Sequence, residues 1–93
     1  MRVKQCILKG KLIHSLDDIY QELARQLELP EHFGGNLDAL WDCLTTDVEG
    51  PVEIILEDQS SARASLGHEF DRLDQLFRDL ARQRKDISII RRP

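Results

Sequence analysis

A chain of 93 residues, 41% of them hydrophobic, can bury one core without staples, so we expect a single domain over residues 1–93. Cys6 and Cys43 form neither a CxxC motif nor a zinc-binding spacing, and no apolar run is long enough to span a bilayer. These features argue against disulfide-stapled, metal-binding and membrane-spanning proteins. They predict a reduced, cytoplasmic protein with no metal and no cofactor.

The formal net charge of -4 is unevenly distributed along the chain. No lysine or arginine occurs between residues 31 and 58, where the acidic residues are Glu31, Asp38, Asp42, Asp47, Glu49, Glu53, Glu57 and Asp58. Such a segment repels nucleic acid and attracts cationic partners. An ordinary solvated surface explains the same pattern, so charge alone leaves both interpretations open.

The first half of the chain contains a strand followed by two helices. Residues 3–8 form a short apolar run ended by a Lys-Gly-Lys turn, which predicts a strand. Ser15 is a suitable N-cap, and apolar residues follow at helical spacing, so we predict a helix over residues 15–27. Pro30 prevents its simple continuation, and a loop then leads to a second helix over residues 37–45.

The second half follows a similar order. Residues 52–56 are rich in β-branched side chains and predict a buried strand. Residues 59–67 are rich in serine and alanine and fit either a short irregular helix or a loop. A long amphipathic pattern predicts a helix over residues 68–83, and the apolar residues 87–90 predict a third strand.

The predicted element order is therefore β-α-α-β-α-α-β. Helical connections between successive strands favour parallel pairing and right-handed crossovers. We predict an α/β fold in which a three-stranded parallel sheet is packed with helices.

The second predicted helix has two faces of different character. Its apolar stripe follows the spacing i, i+3, i+4 and i+7 and consists of Leu37, Leu40, Trp41 and Leu44. At about 100° per residue, Asp38, Asp42 and Thr45 fall on an adjacent strip that Trp41 borders. Asn36 is suited to be the N-cap. The like charges of Asp38 and Asp42, four residues apart, cost roughly a few tenths of a kcal/mol, which suggests that a partner uses them together.

The second predicted helix and the glycines before it could in principle serve phosphate binding, catalysis or protein binding. Gly34 and Gly35 precede a helix but lack the GxGxxG and GxxxxGK[ST] patterns of phosphate-binding loops. No serine lies in a nucleophile elbow, and an acid/base pair of aspartates would need a pocket that excludes water. We therefore predict that the chain is not an enzyme. Trp41 fits either a core position or an aromatic anchor in a binding surface, and His32 either a binding or a surface role.

Two segments carry a family resemblance. Leu-Pro-Glu-His-Phe-Gly at residues 29–34 and Asn-Leu-Asp-Ala-Leu-Trp-Asp-Cys-Leu at residues 36–44 resemble the signature of the barstar family of ribonuclease inhibitors. The similarity continues in Phe-Arg-Asp at residues 77–79 and in Asp-Ile-Ser-Ile-Ile at residues 86–90. It covers nearly the whole chain, and the fold that it implies agrees with the predicted element order.

The resemblance implies an intracellular toxin-immunity protein that blocks the active site of a barnase-like, guanyl-specific extracellular ribonuclease. It implies that Asp42 replaces a substrate phosphate among the arginines and histidine of the nuclease, with Asp38 as a second acidic contact and Trp41 beside them. The partner-binding residues that it implies are His32, Phe33, Gly34, Asn36, Asp38, Trp41, Asp42, Thr45 and Asp79. We expect no nucleic-acid or membrane partner and a monomer in the free state.

This chain departs from the family pattern at three positions. His32 stands where the reference pattern has a tyrosine, Asp79 is one methylene shorter than the family glutamate, and Asp47 replaces a tryptophan. The changes at 32 and 79 leave open an alternative in which the chain is a barstar-fold binding or immunity module for a different cationic protein.

Overall fold

A computed structural model of the chain describes residues 2–30 and 34–93. Strands and helices follow in the order β1 (Lys4–Lys9), α1 (Leu16–Leu27), α2 (Leu37–Thr46), β2 (Val52–Glu57), α3 (Gln59–Leu66), α4 (His68–Gln83) and β3 (Ile87–Arg91). A short 3₁₀ turn, Gly10–Leu12, follows β1. The predicted order of elements is confirmed. Of residues 59–67, for which the sequence left helix and loop open, Gln59–Leu66 form the helix α3.

The three strands form one parallel sheet in the order β1-β2-β3. Ile54 at its centre is paired with Cys6 on one side and with Ile89 on the other. Four of the six residues of β2 are buried, as expected of a central parallel strand covered on both faces. The predicted fold class, an α/β protein with a three-stranded parallel sheet, is confirmed.

The helices bury their apolar stripes in one shared core. α1 packs beside β1, α4 beside β3, and α2 against α4. Phe70, Phe77 and Leu80 of α4 are almost completely buried, and Leu40 and Leu44 of α2 join them in the same cluster. The contact between α2 and α4 decides which polar side chains of the two helices come together.

A buried acid fixes α4 against the sheet. The carboxylate of Asp74 on α4 accepts a hydrogen bond from Nε of Arg91 on β3 at 2.9 Å. Its other oxygen lies 3.0 Å from Nε of Arg78, one turn later on α4. Both charged partners satisfy a carboxylate that burial would otherwise make costly.

Two glycines permit close contacts between elements. A Cβ atom on Gly10 would lie 2.1 Å from the backbone oxygen of Asp58, just before α3. A Cβ atom on Gly50 would lie 2.1 Å from a carboxylate oxygen of Asp86. Glycine is therefore required where the turn after β1 meets the start of α3, and it gives Asp86 room beside the segment that follows α2.

None of the helices in residues 2–30 and 34–93 combines the length and the apolar character needed to cross a membrane.

Candidate functional site

The start of α2 is fixed by its own sequence. Asn36 is the N-cap, and its Oδ1 accepts a hydrogen bond of 2.7 Å from the backbone N–H of Ala39. This confirms the predicted cap. Gly35, just before the cap, has a φ of 67°, a backbone conformation that residues other than glycine rarely adopt. Gly34 and Gly35 are both exposed, so the chain enters α2 at the surface.

α2 places its acids outward and its apolar stripe inward. Leu40 and Leu44 are completely buried, whereas Asp38 and Asp42 are exposed. Trp41 is partly buried and packs against the core. The tryptophan therefore lies at the border between core and acidic strip, as its position in the helical repeat predicts, and it serves the core while part of it stays accessible.

The hydroxyl of Thr45 is directed at the helix backbone. Its Oγ1 lies 2.8 Å from the carbonyl oxygen of Trp41 and 3.2 Å from that of Asp42, and it donates its proton within this pair. Thr45 can therefore present lone pairs to a partner but no free proton. Such an oxygen is suited to accept a hydrogen bond from a cationic side chain.

A shallow groove between α2 and α4 brings distant residues together. It is lined by Leu37, Asp38, Trp41, Arg72, Gln75, Leu76 and Asp79. An adjoining groove is lined by Trp41, Asp79, Arg82 and Gln83. Trp41 thus borders both grooves, and Asp79 shares them with the side chains of α2. The mixture of acids, cations and amides on α4 makes this part of the surface less purely acidic than α2.

Asp79 is already engaged within its own helix. Its Oδ1 accepts hydrogen bonds from the Arg82 guanidinium and, at 3.0 Å, from Nε2 of Gln75. The bond from Arg82, followed by that from Gln75, lowers the pKa of Asp79 below its ordinary value. Asp79 therefore remains an ionised carboxylate, and the positive charge of Arg82 partly neutralises it.

The end of α2 is fixed by a residue far away in sequence. Nη1 of Arg84, just after α4, donates hydrogen bonds to the carbonyl oxygens of Leu44 at 2.9 Å and Val48 at 2.5 Å. Its Nε and Nη2 donate to the two carboxylate oxygens of Asp86 at 3.1 and 2.7 Å. α2 has no basic residue in its own last turn, so Arg84 supplies the cation that its C-terminal carbonyls favour.

The structure brings most of the predicted site residues onto one region. Asp38, Trp41 and Asp79 line a common groove, and Asp42 and Thr45 continue along α2 from it. His32 and Phe33 lie outside the described residues. The role of all these residues in binding stays a prediction.

Sequence reasoning named Asp79 only through the family resemblance. It missed the other polar residues that share its face of α4, and it missed Arg84, which follows that helix. Arg72, Gln75, Asp79 and Arg82 follow one another at spacings of three and four, which places them on one face of a helix. Apart from the resemblance, the prediction for this helix used only its apolar face, although this polar periodicity was available. No local pattern indicates that Arg84 would reach α2.

Metal and nucleophile chemistry find little support in the described part of the chain. No group of three or more histidine, cysteine or acidic residues there is placed to hold a metal ion. Both thiols are buried, and burial, as the largest cause, raises the pKa of Cys6 to about 12 and that of Cys43 above its ordinary value. Neither is an activated nucleophile.

Comparison with known proteins adds the family. Residues 3–90 match the family model described as Barstar (barnase inhibitor). The chain belongs to the barstar family. A similar protein from Bacillus subtilis (strain 168) is named "Putative ribonuclease inhibitor YrdF". It is 29% identical over 84 residues, which cover 90% of this chain and 92% of that protein.

The barstar match spans both segments that carry the resemblance in the sequence. It begins just before β1 and ends within β3, so it includes α2 and the polar face of α4. The predicted family is thereby confirmed.

Proposed function

We propose that this protein inhibits a guanyl-specific, barnase-type ribonuclease by placing the carboxylates of α2 in its active site, where they take the positions of RNA phosphates. Asp42 is the central contact in this proposal and Asp38 a second one. Trp41 packs beside them, and Gly34, Asn36, Thr45 and Asp79 complete the surface together with His32 and Phe33. The proposal includes a monomeric free protein in the cytoplasm.

Family membership and the similar protein from Bacillus subtilis support ribonuclease inhibition in general, and they point to an inhibitor rather than an enzyme. The finer assignment, to a barnase-type nuclease and to phosphate mimicry, depends on the chemistry of α2. This chemistry is the part of the proposal that an experiment must test.

One observation carries that assignment. Asp38 and Asp42 are both exposed on α2, and within residues 2–30 and 34–93 neither forms an ion pair with a basic side chain. Asp74, Asp79 and Asp86, by contrast, each have an arginine partner. Two unpaired carboxylates on a helix that is fixed at both ends form a preorganised anionic surface.

A ribonuclease cleft is the partner that such a surface fits best. Because a ribonuclease binds a polyanion, its cleft is lined with cations that are strongly attracted to carboxylates. A rigid helix that presents two carboxylates satisfies these cations and excludes RNA. The repulsion between Asp38 and Asp42 in the free protein is relieved when a cation lies between or beside them, which favours the complex.

The test is the substitution Asp42→Ala, measured by titrating barnase activity against wild type and variant. We expect the Kd to rise at least ~30-fold, since truncating an interface hot spot costs about 2 kcal/mol or more, a class of which the barstar–barnase interface is itself a well-known example. The stability of the free protein should stay the same or rise slightly, because a like-charge neighbour of Asp38 is removed.

Glu49→Ala is the matched control. Glu49 is exposed and belongs to the same acidic segment, but it lies beyond the end of α2. It should therefore report the loss of one negative charge without the loss of a direct contact. Equal inhibition by wild type and Asp42→Ala would contradict the proposed role of α2.

The departures at positions 32 and 79 favour one second candidate, a binding module of the same fold for a different cationic protein. Inhibition of other secreted microbial ribonucleases, without inhibition of barnase, would favour this candidate within the same assay.

A further inference from the structure

We propose that Arg82 is a positioning residue that holds Asp79 against α4 and so limits how strongly this acid can engage a partner. Arg82 then tunes the affinity and the choice of partner through Asp79. This inference rests on the proposed function, because it concerns the same docking surface.

The hydrogen bonds of Asp79 carry the argument. The Arg82 guanidinium and Nε2 of Gln75 both donate to the same carboxylate oxygen, Oδ1. The three residues lie at spacings of four and three on α4, so all three share one helix face. A cation of the partner must therefore compete with Arg82 for Oδ1 or use only the other oxygen.

Position in the groove makes this competition relevant to docking. Asp79 and Arg82 both line a groove with Trp41, and Asp79 also lines the one that contains Asp38. A partner that covers α2 and Trp41 therefore meets Asp79 with Arg82 already attached. Asp38 and Asp42 have no such competitor among the described residues, which separates Asp79 from the two acids of α2.

The competition has two physical components. Arg82 neutralises part of the charge that would attract a partner cation, and its own positive charge repels that cation at short range. The side chains are exposed by 74% for Arg82 and 43% for Asp79, so solvent screens the pair and a partner can displace it. Arg82 consequently weakens the contact between Asp79 and a partner cation without preventing it.

The experiment compares Arg82→Gln with the control Arg78→Gln. Arg78 lies one turn earlier on α4, and its ion pair is with Asp74, which keeps Arg91 when Arg78 is replaced. Both variants remove one positive charge from the same helix, so they change the long-range attraction of a cationic partner to a similar extent. Only Arg82→Gln releases Asp79.

We expect Arg82→Gln to bind barnase about three- to fivefold more tightly than Arg78→Gln does, in line with the strength of exposed ion pairs. In an Asp79→Asn background the two variants should have the same effect. In the free protein, Arg82→Gln should raise the pKa of Asp79 measured by NMR, because the hydrogen bond from Arg82 contributes most to holding this pKa low. Arg78→Gln should leave the pKa of Asp79 unchanged, because Arg78 is paired with Asp74.

Two results would overturn the inference while wild type inhibits barnase. One is equal affinity of Arg82→Gln and Arg78→Gln, and the other is a gain from Arg82→Gln that persists with Asp79→Asn. Failure of wild type to inhibit is a different result, because it overturns the proposed function and removes the basis of the inference.

Discussion

Three consecutive side chains of α2 meet three different environments. Trp41 is partly buried, Asp42 is exposed and Cys43 is 6% exposed. Their environments differ because each residue of a helix is rotated by about 100° from the one before it. This rotation explains why an aromatic anchor, a free carboxylate and a packed thiol can be neighbours in sequence. Cys43, on the buried side, packs as a small apolar residue.

The two thiols give a prediction at the same scale. We expect both cysteines of the native protein to react with Ellman's reagent far more slowly than free cysteine. Burial raises the pKa of Cys6 to about 12, and burial followed by the nearby Asp47 raises that of Cys43. The thiolate, which is the reactive form, is therefore scarce at neutral pH and shielded from the reagent.

Absorbance at neutral pH follows the reaction, and the denatured chain serves as the control in which both thiols should react quickly. A native thiol that reacts at the rate of free cysteine would contradict the buried positions of Cys6 and Cys43.

Among the elements, α2 depends on a cation from outside itself. Arg84 bonds to the carbonyl oxygens of Leu44 and Val48 and is held in place by Asp86. We expect Arg84→Met to lower the free energy of unfolding by about 1.5–3 kcal/mol, the range for hydrogen bonds to a charged group. Urea unfolding followed by circular dichroism measures this change.

Lys85→Met is the control for Arg84→Met. Lys85 is the next residue and is exposed, so its replacement should change the free energy of unfolding by no more than about 0.5 kcal/mol. Equal unfolding midpoints for the two variants would show that Arg84 does not stabilise the end of α2.

The helix α3 is the one element for which the sequence did not decide between a helix and a loop. Only Ala62 and Leu66 of its residues are buried, and two apolar positions give a weak helical pattern. The helix is supported by neighbours instead, since it packs on the 3₁₀ turn and on α4, and the Arg63 guanidinium lies 4.4 Å from the ring centroid of Phe70. A short helix of this kind depends on tertiary contacts for its stability.

At the scale of the whole molecule, paired acids make stability depend on pH. The pKa values of Glu22, Asp79 and Asp86 are lowered, chiefly by hydrogen bonds from Gln26, Arg82 and Arg84 respectively. The unfolded chain therefore binds protons at higher pH than the native protein does. The stabilisation is complete above the unfolded pKa of about 4 and is lost as the pH falls through the folded values.

We accordingly expect the free energy of unfolding to decrease as the pH falls from about 5 to about 2, with no loss from these acids between about pH 5 and pH 8. Urea unfolding at a series of pH values measures the change. Stability that rises as the pH falls from 5 to 3 would contradict the assigned partners of these carboxylates.

Apart from α3, the sequence alone determined the helices and strands, their order and the acidic strip of α2. Each of these follows from local periodicity, which fixes where a side chain lies around its own helix or on which face of its strand. The cap at Asn36 and the position of Asp38 and Asp42 beside Trp41 of the apolar stripe needed no further information.

Only the tertiary structure decided what surrounds that strip. Arg84 reaches the carbonyl of Leu44, 40 residues away, and Asp79 comes beside Trp41 already bonded to Arg82. Periodicity cannot predict such contacts, because the relative position of two helices depends on how their buried side chains pack in a common core.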